Sequence, residues 1–169
     1  ITMTRPAYTP MAVNRLHTAG LPEVLREPLT EKWEAFVQVS KDAQFPVPVH
    51  ADFTTSLMRV WACSDFVSQT CVHEPAVFYR LLESGDLLVD YTSGEYRRKL
   101  KHALKGVADI TELGRTLRDF RRQDMLRIAW RDLAGWATLN EVLRDLSTLA
   151  DASVGVALDY LGSWAAQRL

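Results

Sequence analysis

Cysteine is scarce: Cys63 and Cys71 are the only two in a chain of 169 residues. No second pair exists to complete a zinc-type ligand set or a disulfide framework, and reduced thiols are the expected state. An excess of charge of either sign is also lacking, with 20 Lys and Arg against 21 Asp and Glu and a formal net charge of -1. There is then no global field to draw in nucleic acid or anionic lipid, and any anion site must be local. No apolar run approaches the ~18 to 20 residues that span a bilayer, and the opening ITMTRPAYTP has no signal-peptide core. A cytoplasmic chain with neither a membrane nor a nucleic acid as partner is the expectation. Ile1 and Thr2 precede Met3, so Met3 is the expected natural start.

Familiar catalytic turns are missing as well. The sequence contains no G-x-x-x-x-G-K-[ST] phosphate loop, G-x-G-x-x-G turn, H-E-x-x-H, G-x-S-x-G elbow or calcium loop. Cys71, His73 and Glu74 cluster in CVHE, but residues at i and i+2 of a helix point apart, so no metal site is assigned there. His17, His50 and His102 have no partner nearby in sequence. No catalytic, cofactor-binding or metal-binding residue is assigned.

What is present is a core and a helical pattern. Hydrophobic residues make up 47% and charged residues 24%, with five Trp, and a chain this long can bury roughly 70% of the surface its unfolded form exposes. Strand alternation is almost absent, and capping residues, Gly and Pro divide the chain into six to eight helices. The reading is a single all-α domain over residues 1–169, with 1–29 irregular or in short helices and a helical core over 30–169. Thr30 is read as the cap of a helix running to about Lys41 with Trp33, Phe36 and Val37 on one side, and FPVPVH as its break. Asp52 and Ser64 are read as caps of the next two helices. Pro75 starts PAVFYRLLES and Gly85 stops it, with Leu87, Leu88 and Val89 expected to point inward after the turn. Ser93 is read as the cap of GEYRRKLKHALK, which Gly106 ends. Asp109 with Glu112 opens a long helix to Gly135, and the capping box Thr138 to Glu141 opens another that runs to about Leu169.

Two segments concentrate charge. In YRRKLKHALK, Arg97, Arg98, Lys99, Lys101 and Lys105 form a candidate basic surface, read as a solvated face behind Tyr96, Leu100 and Leu104 or as a patch for phosphate or an acidic partner. In LRDFRRQDMLRIAWRDLAG, residues 117–135, every side of the helix mixes apolar and charged groups. Phe120, Met125 and Ile128 share a sector with Arg121, Asp124, Arg131 and Asp132, while Leu126 and Trp130 are interleaved with Arg118 and Arg122. Unpaired buried charge costs several kcal/mol, so Arg118, Arg121, Arg122, Asp124, Arg127, Arg131 and Asp132 are read as a candidate buried ion-pair lattice or an interdomain contact. The partners suggested by spacing are Arg121 with Asp124, Asp124 with Arg127, Arg118 with Asp119 or a distant carboxylate, and Asp132 with Arg121. The alternative is an Arg-lined contact for a nucleotide phosphate.

The pattern L-R-x-F-R-R-x-x-M-x-R-I-A-W-x-D-L within that helix, with ATLNEVLRDLSTLADASVGVALDYL after it and SDFVSQTCVHEPAVFYRLLESGDL before it, resembles the N-terminal region of the bacterial glutamine synthetase adenylyltransferases. The resemblance covers roughly Ser64 to Leu169. It implies a much longer enzyme with two nucleotidyltransferase domains, one adding AMP from ATP to a glutamine synthetase tyrosine and one removing it by phosphorolysis to give ADP. It also implies Mg2+ as cofactor and regulation by glutamine and the PII signalling protein. The family's first catalytic motif, a G-M-G-K-L-G-G turn followed by S-S-D-I-D-L, follows the region resembled, and this sequence contains neither part. No catalytic residue can be carried over. The expectation is therefore an N-terminal helical scaffold for the adenylyl-removing half, inactive alone and partnered by a missing downstream nucleotidyltransferase domain. The alternative is a free-standing helical interaction module docking through its Arg-rich or basic helix.

Overall fold

The computed structural model describes residues 21–45, 51–92 and 94–166. Ser93, His17, His50 and the side chain of Asp52, together with the chain before Leu21, lie outside the described residues; the helix read as capped by Ser93 has Gly94 as its N-cap, and the one read as capped by Asp52 begins at Ala51. Among the described residues the structure is all-α: seven helices, α1 (Glu23–Asp42), α2 (Ala51–Cys63), α3 (Asp65–His73), α4 (Pro75–Ser84), α5 (Glu95–Ala103), α6 (Ile110–Leu133) and α7 (Leu139–Ala166), with one 3-10 turn at Asp86–Leu88. They form two compact units, Ile1–Pro75 and Ala76–Leu169, each described by itself.

The first unit is built from α1, α2 and α3. Helix α1 begins seven residues before Thr30 and contains Pro28, a difference from the sequence reading with a local cause. Proline removes one amide donor in the second turn of a helix of 20 residues. The Thr30 hydroxyl, instead of capping, donates to the Arg26 carbonyl one turn back at 2.8 Å. The core is aromatic: Phe36 stands edge-on to Trp61 with ring centroids 5.7 Å apart and lies the same distance from Trp33, with Leu29, Leu57, Val60, Val67 and Cys71 buried in the same unit. Burial pushes the Cys71 thiol up, so it stays protonated. Among the described residues the Trp61 indole N–H has no conventional hydrogen-bond acceptor, and the Cys71 sulfur beside it is a weak one. Ser64 caps α3 by accepting from the Val67 amide at 3.3 Å.

The second unit centres on α6. Asp109 caps it by accepting from the Glu112 amide at 2.8 Å, while the Glu112 carboxylate reaches back to the Ala108 amide. Gly85 and Gly135, with φ of 75° and 74°, provide the left-handed steps that stop α4 and α6. Helix α6 packs on α5, on α7 and on the 3-10 turn, and Trp130 stacks on Phe78 of α4 with centroids 5.4 Å apart. A helix with neighbours on so many sides cannot show one wet and one dry face. Two apolar clusters flank it. Tyr91, Tyr96, Ile128, Leu149 and Ala152 form one, and Leu100, Leu104, Leu113 and Val156 form the other, with Phe120 packed against both.

Of the three apolar residues after Gly85, only Leu87 is buried. Leu88 and Val89 are 68% and 50% exposed, a correction to the expectation that all three anchor the connection. A 3-10 turn repeats every three residues, so it aims a single side chain inward. Other groups hold this segment.

Candidate functional site

Those groups are two arginines of α6. Arg127 and Arg131 stand four residues apart on one side of the helix, and both are buried. Arg127 Nε donates to the Asp86 carbonyl at 2.9 Å, and Nη2 donates to the Val89 carbonyl. Its Nη1 donates to the Asp145 carboxylate at 2.9 Å and the Tyr96 hydroxyl at 3.2 Å. Arg131 Nη1 donates to the Leu87 carbonyl at 3.2 Å, while its Nε and Nη2 grip Glu141 at 3.1 and 2.7 Å. Glu141 and Asp145 are also four residues apart, in reverse order, so α6 and α7 run in opposite directions with two arginines facing two carboxylates. A guanidinium has five donors in a fixed fork, enough to meet a carboxylate and backbone carbonyls together. The Tyr91 ring covers Arg127, its centroid 3.6 Å from Cζ.

This arrangement differs in its partners from the sequence reading. Asp145, not Asp124, takes the Arg127 guanidinium, because Asp145 projects from the facing helix whereas Asp124 lies one turn back on the same one. Asp124 is 2% exposed, and among the described residues it has no ion pair or hydrogen bond to Arg121, Arg127 or any other side chain. Arg118, Arg121 and Asp132 are exposed, and Arg122 is half-buried. The helix thus buries Arg127 and Arg131 and leaves Arg118 and Arg121 exposed. The structure places the basic helix α5 among acids. Arg97 pairs with Asp159 at 2.6 Å, Arg98 with Glu95 at 2.5 Å and Lys101 with Asp159 at 3.7 Å. Lys99 donates to both oxygens of Asp86 at 2.8 and 2.7 Å, and Lys105 is exposed.

Sequence reasoning missed Asp86 and Asp145, and read Glu141 as part of a cap. The cap exists, since the Glu141 amide donates to the Thr138 hydroxyl at 3.2 Å, but the carboxylate turns to Arg131 instead of completing a capping box. The usable signal was the i, i+4 spacing of Glu141 and Asp145, which matches that of Arg127 and Arg131.

Beside this lattice lies a cleft of about 390 Å³ between α5, α6 and the segment after Gly85. Asp86, Lys99, Asp124, Arg80, Asp119 and Gln123 line it together with Tyr91, Phe120, His102, Thr116 and Ala103. The Arg80 guanidinium donates to the Gln123 side-chain carbonyl at 3.1 Å. Two of its three carboxyl groups are driven in opposite directions. Burial alone would raise Asp86, but hydrogen bonds from Lys99 and Ser84 and the Lys99 charge hold it below the ordinary carboxylate range. Asp124 is pushed up to about 7, first by burial, with the charges of Asp86 and Asp145 adding to the rise and Arg127 and Lys99 opposing it. Burial likewise pushes the Tyr91 and Tyr96 phenols up, so both remain neutral donors. No group of three or more His, Cys, Asp or Glu side chains among the described residues is placed to hold a metal ion. No helix among them is long and apolar enough to cross a membrane.

Comparison with known proteins adds to this geometry. The profile of the family described as glutamate-ammonia ligase adenylyltransferase matches residues 54–169. A bifunctional glutamine synthetase adenylyltransferase/adenylyl-removing enzyme of Nitrosococcus oceani is 37% identical over 149 residues, which is 88% of this chain and 15% of that protein. Proteins of the same description from Pseudomonas aeruginosa and Pseudomonas syringae are 47% identical over 103 residues and 41% over 107, or 61% and 63% of this chain. The chain covers only 10% and 11% of those two proteins.

Proposed function

The chain belongs to the glutamate-ammonia ligase adenylyltransferase family, and from that membership we propose that it serves as the N-terminal helical scaffold of the adenylyl-removing half of such an enzyme. In this reading the full-length protein adds AMP from ATP to a tyrosine of glutamine synthetase, removes it by phosphorolysis to give ADP, and answers to glutamine and the PII protein. Mg2+ and the nucleotide are held by an S-D-x-D motif that this sequence does not contain, so the 169 residues do no chemistry themselves.

One observation supports a bracing role above the others. Helix α7 has two apolar faces. Leu149, Ala152 and Val156 are buried against the rest of the second unit. On another side, Leu139, Leu143, Leu146, Val154, Leu158 and Leu161 are 71, 54, 36, 61, 63 and 40% exposed. Their spacing of mostly three or four residues draws a stripe along a helix of 28 residues, about 40 Å long at 1.5 Å per residue. Contiguous apolar surface on that scale marks a site of association. The occupant we assign is the first nucleotidyltransferase domain of the whole enzyme, for which the relatives have ample length. The lattice of Arg127, Arg131, Glu141 and Asp145 would then keep α7 rigid beneath it.

Leu143→Asp with Leu158→Asp tests this in two settings. In the full-length enzyme the pair should reduce adenylyl removal at least tenfold while adenylylation persists, and in the 169-residue chain it should leave helix content and melting temperature unchanged. Full adenylyl-removing activity in the double variant would sink the scaffold reading. Tight binding of ATP or ADP to the 169-residue chain in calorimetry would overturn the claim that nucleotide is held elsewhere.

A further inference from the structure

Asp124 sets a problem that the scaffold role does not solve. The residue is 2% exposed, yet its carboxyl accepts no hydrogen bond and joins no ion pair among the described residues, and so nearly burying such a group without a partner costs stability. The cations nearest to it are committed elsewhere. Lys99 is bound by both oxygens of Asp86, and Arg127 is held by Asp145, Tyr96 and two backbone carbonyls. What exposure Asp124 keeps is toward the cleft it lines.

We propose that this cleft is a binding site for a compact organic cation carrying a primary ammonium, seated on the Asp124 carboxylate. A metal ion is the poorer occupant, because the described residues bring no third ligand to it. An inorganic anion is also poorer, since it would face Asp124 and Asp119 with Lys99 already engaged and only the exposed Arg80, which bonds Gln123, to attract it. An ammonium needs only one carboxylate and a few acceptor dipoles, and the Phe120 ring offers a wall for its carbon skeleton. Because burial holds Asp124 at about 7, an ammonium that ionises it would register directly in the titration of that carboxyl.

The test is carbon-13 NMR of aspartate-labelled 169-residue chain, titrated with 1,4-diaminobutane at constant ionic strength, with tetramethylammonium and inorganic phosphate as comparisons. The expected result is a saturable shift of the Asp124 carboxyl, a fall of at least one unit in its pKa, and at least tenfold weaker binding to Asp124→Asn. Tetramethylammonium, which cannot donate, should bind at least tenfold more weakly than the diamine. An Asp124 signal that the diamine does not saturate would overturn the proposal. So would equal binding by Asp124→Asn, or a larger response to phosphate. The wild-type titration decides alone if the variant fails to fold. None of these outcomes bears on the α7 stripe, so the scaffold reading stands or falls separately.

Discussion

The two units solve the problem of an interior in opposite ways. The first fills its core with rings and aliphatic side chains, Trp33, Phe36, Trp61, Leu57 and Val67, and leaves an indole N–H with no better acceptor among the described residues than a thiol sulfur. The second places two guanidinium groups and a carboxylate, Arg127, Arg131 and Asp145, among its buried side chains. Apolar packing is forgiving in sequence, since residues of the right size and hydrophobicity give a core. A buried ion is not forgiving, because each donor needs its acceptor at a fixed place. The second strategy therefore leaves an unusual string of residues, and the first leaves an ordinary one.

The largest expected effect breaks the charged core. Arg127→Ala leaves the Asp145 carboxylate with only the exposed Arg144 as ion partner and the Asp86 and Val89 carbonyls without their guanidinium donor, and should cost about 3 to 5 kcal/mol in urea unfolding. Adding Asp145→Leu should recover only part of that loss, because the two carbonyls remain unpaired. Complete recovery would mean that the lattice acts as a simple ion pair, and that the two cores differ less than their composition suggests.

Next comes Asp124, where the comparison can be sharpened by pH. Burial and the Asp86 and Asp145 charges raise this carboxyl against the pull of Arg127 and Lys99, so the folded state holds its proton more tightly than the unfolded chain. Its contribution is fully present below the unfolded value of 3.8 and is lost as pH rises through about 7. Asp124→Asn should therefore gain stability relative to wild type between pH 4 and pH 8, by at most about 4 kcal/mol for a shift of about three units. A difference independent of pH would place Asp124 in water. This reverses the sequence expectation, in which Asp124 is held as a carboxylate by Arg121 and Arg127.

The smallest effect lies in the first unit, at the Ser64 cap of α3. Ser64→Ala should cost about 1 kcal/mol, measured by thermal melting. A loss several times larger would show a polar dependence in the first unit that its apolar core does not suggest.

Much of the fold could be read in advance because helix ends are written locally. Ser64, Pro75, Gly85, Asp109 and Thr138 each mark a boundary by chemistry confined to a few residues. The start of α1 was misread because Thr30 can bond backward inside a helix as readily as cap one, and only the surrounding packing decides. The candidate site was legible to a lesser degree. The crowding of charge on residues 117–135 announced that some of it must be buried, but which arginines turn inward depends on the angle at which α7 meets α6. The Asp145 carboxylate and the Asp86 backbone carbonyl lie 18 and 41 residues from the arginine they meet, and helical periodicity has no term for that.

The carbonyls that receive Arg127 and Arg131 have a consequence for the order in which the second unit assembles. Asp86, Leu87 and Val89 are gripped by side chains 38 to 44 residues further along the chain, a separation that a local turn does not need. That segment cannot mature while the ribosome has yet to deliver α6, and it gains full strength only when α7 presents Glu141 and Asp145 to the same two arginines. Contacts of such sequence separation slow folding and make it concerted. The amides of residues 86–89 should therefore open in hydrogen exchange together with the α6–α7 pair, as one cooperative block.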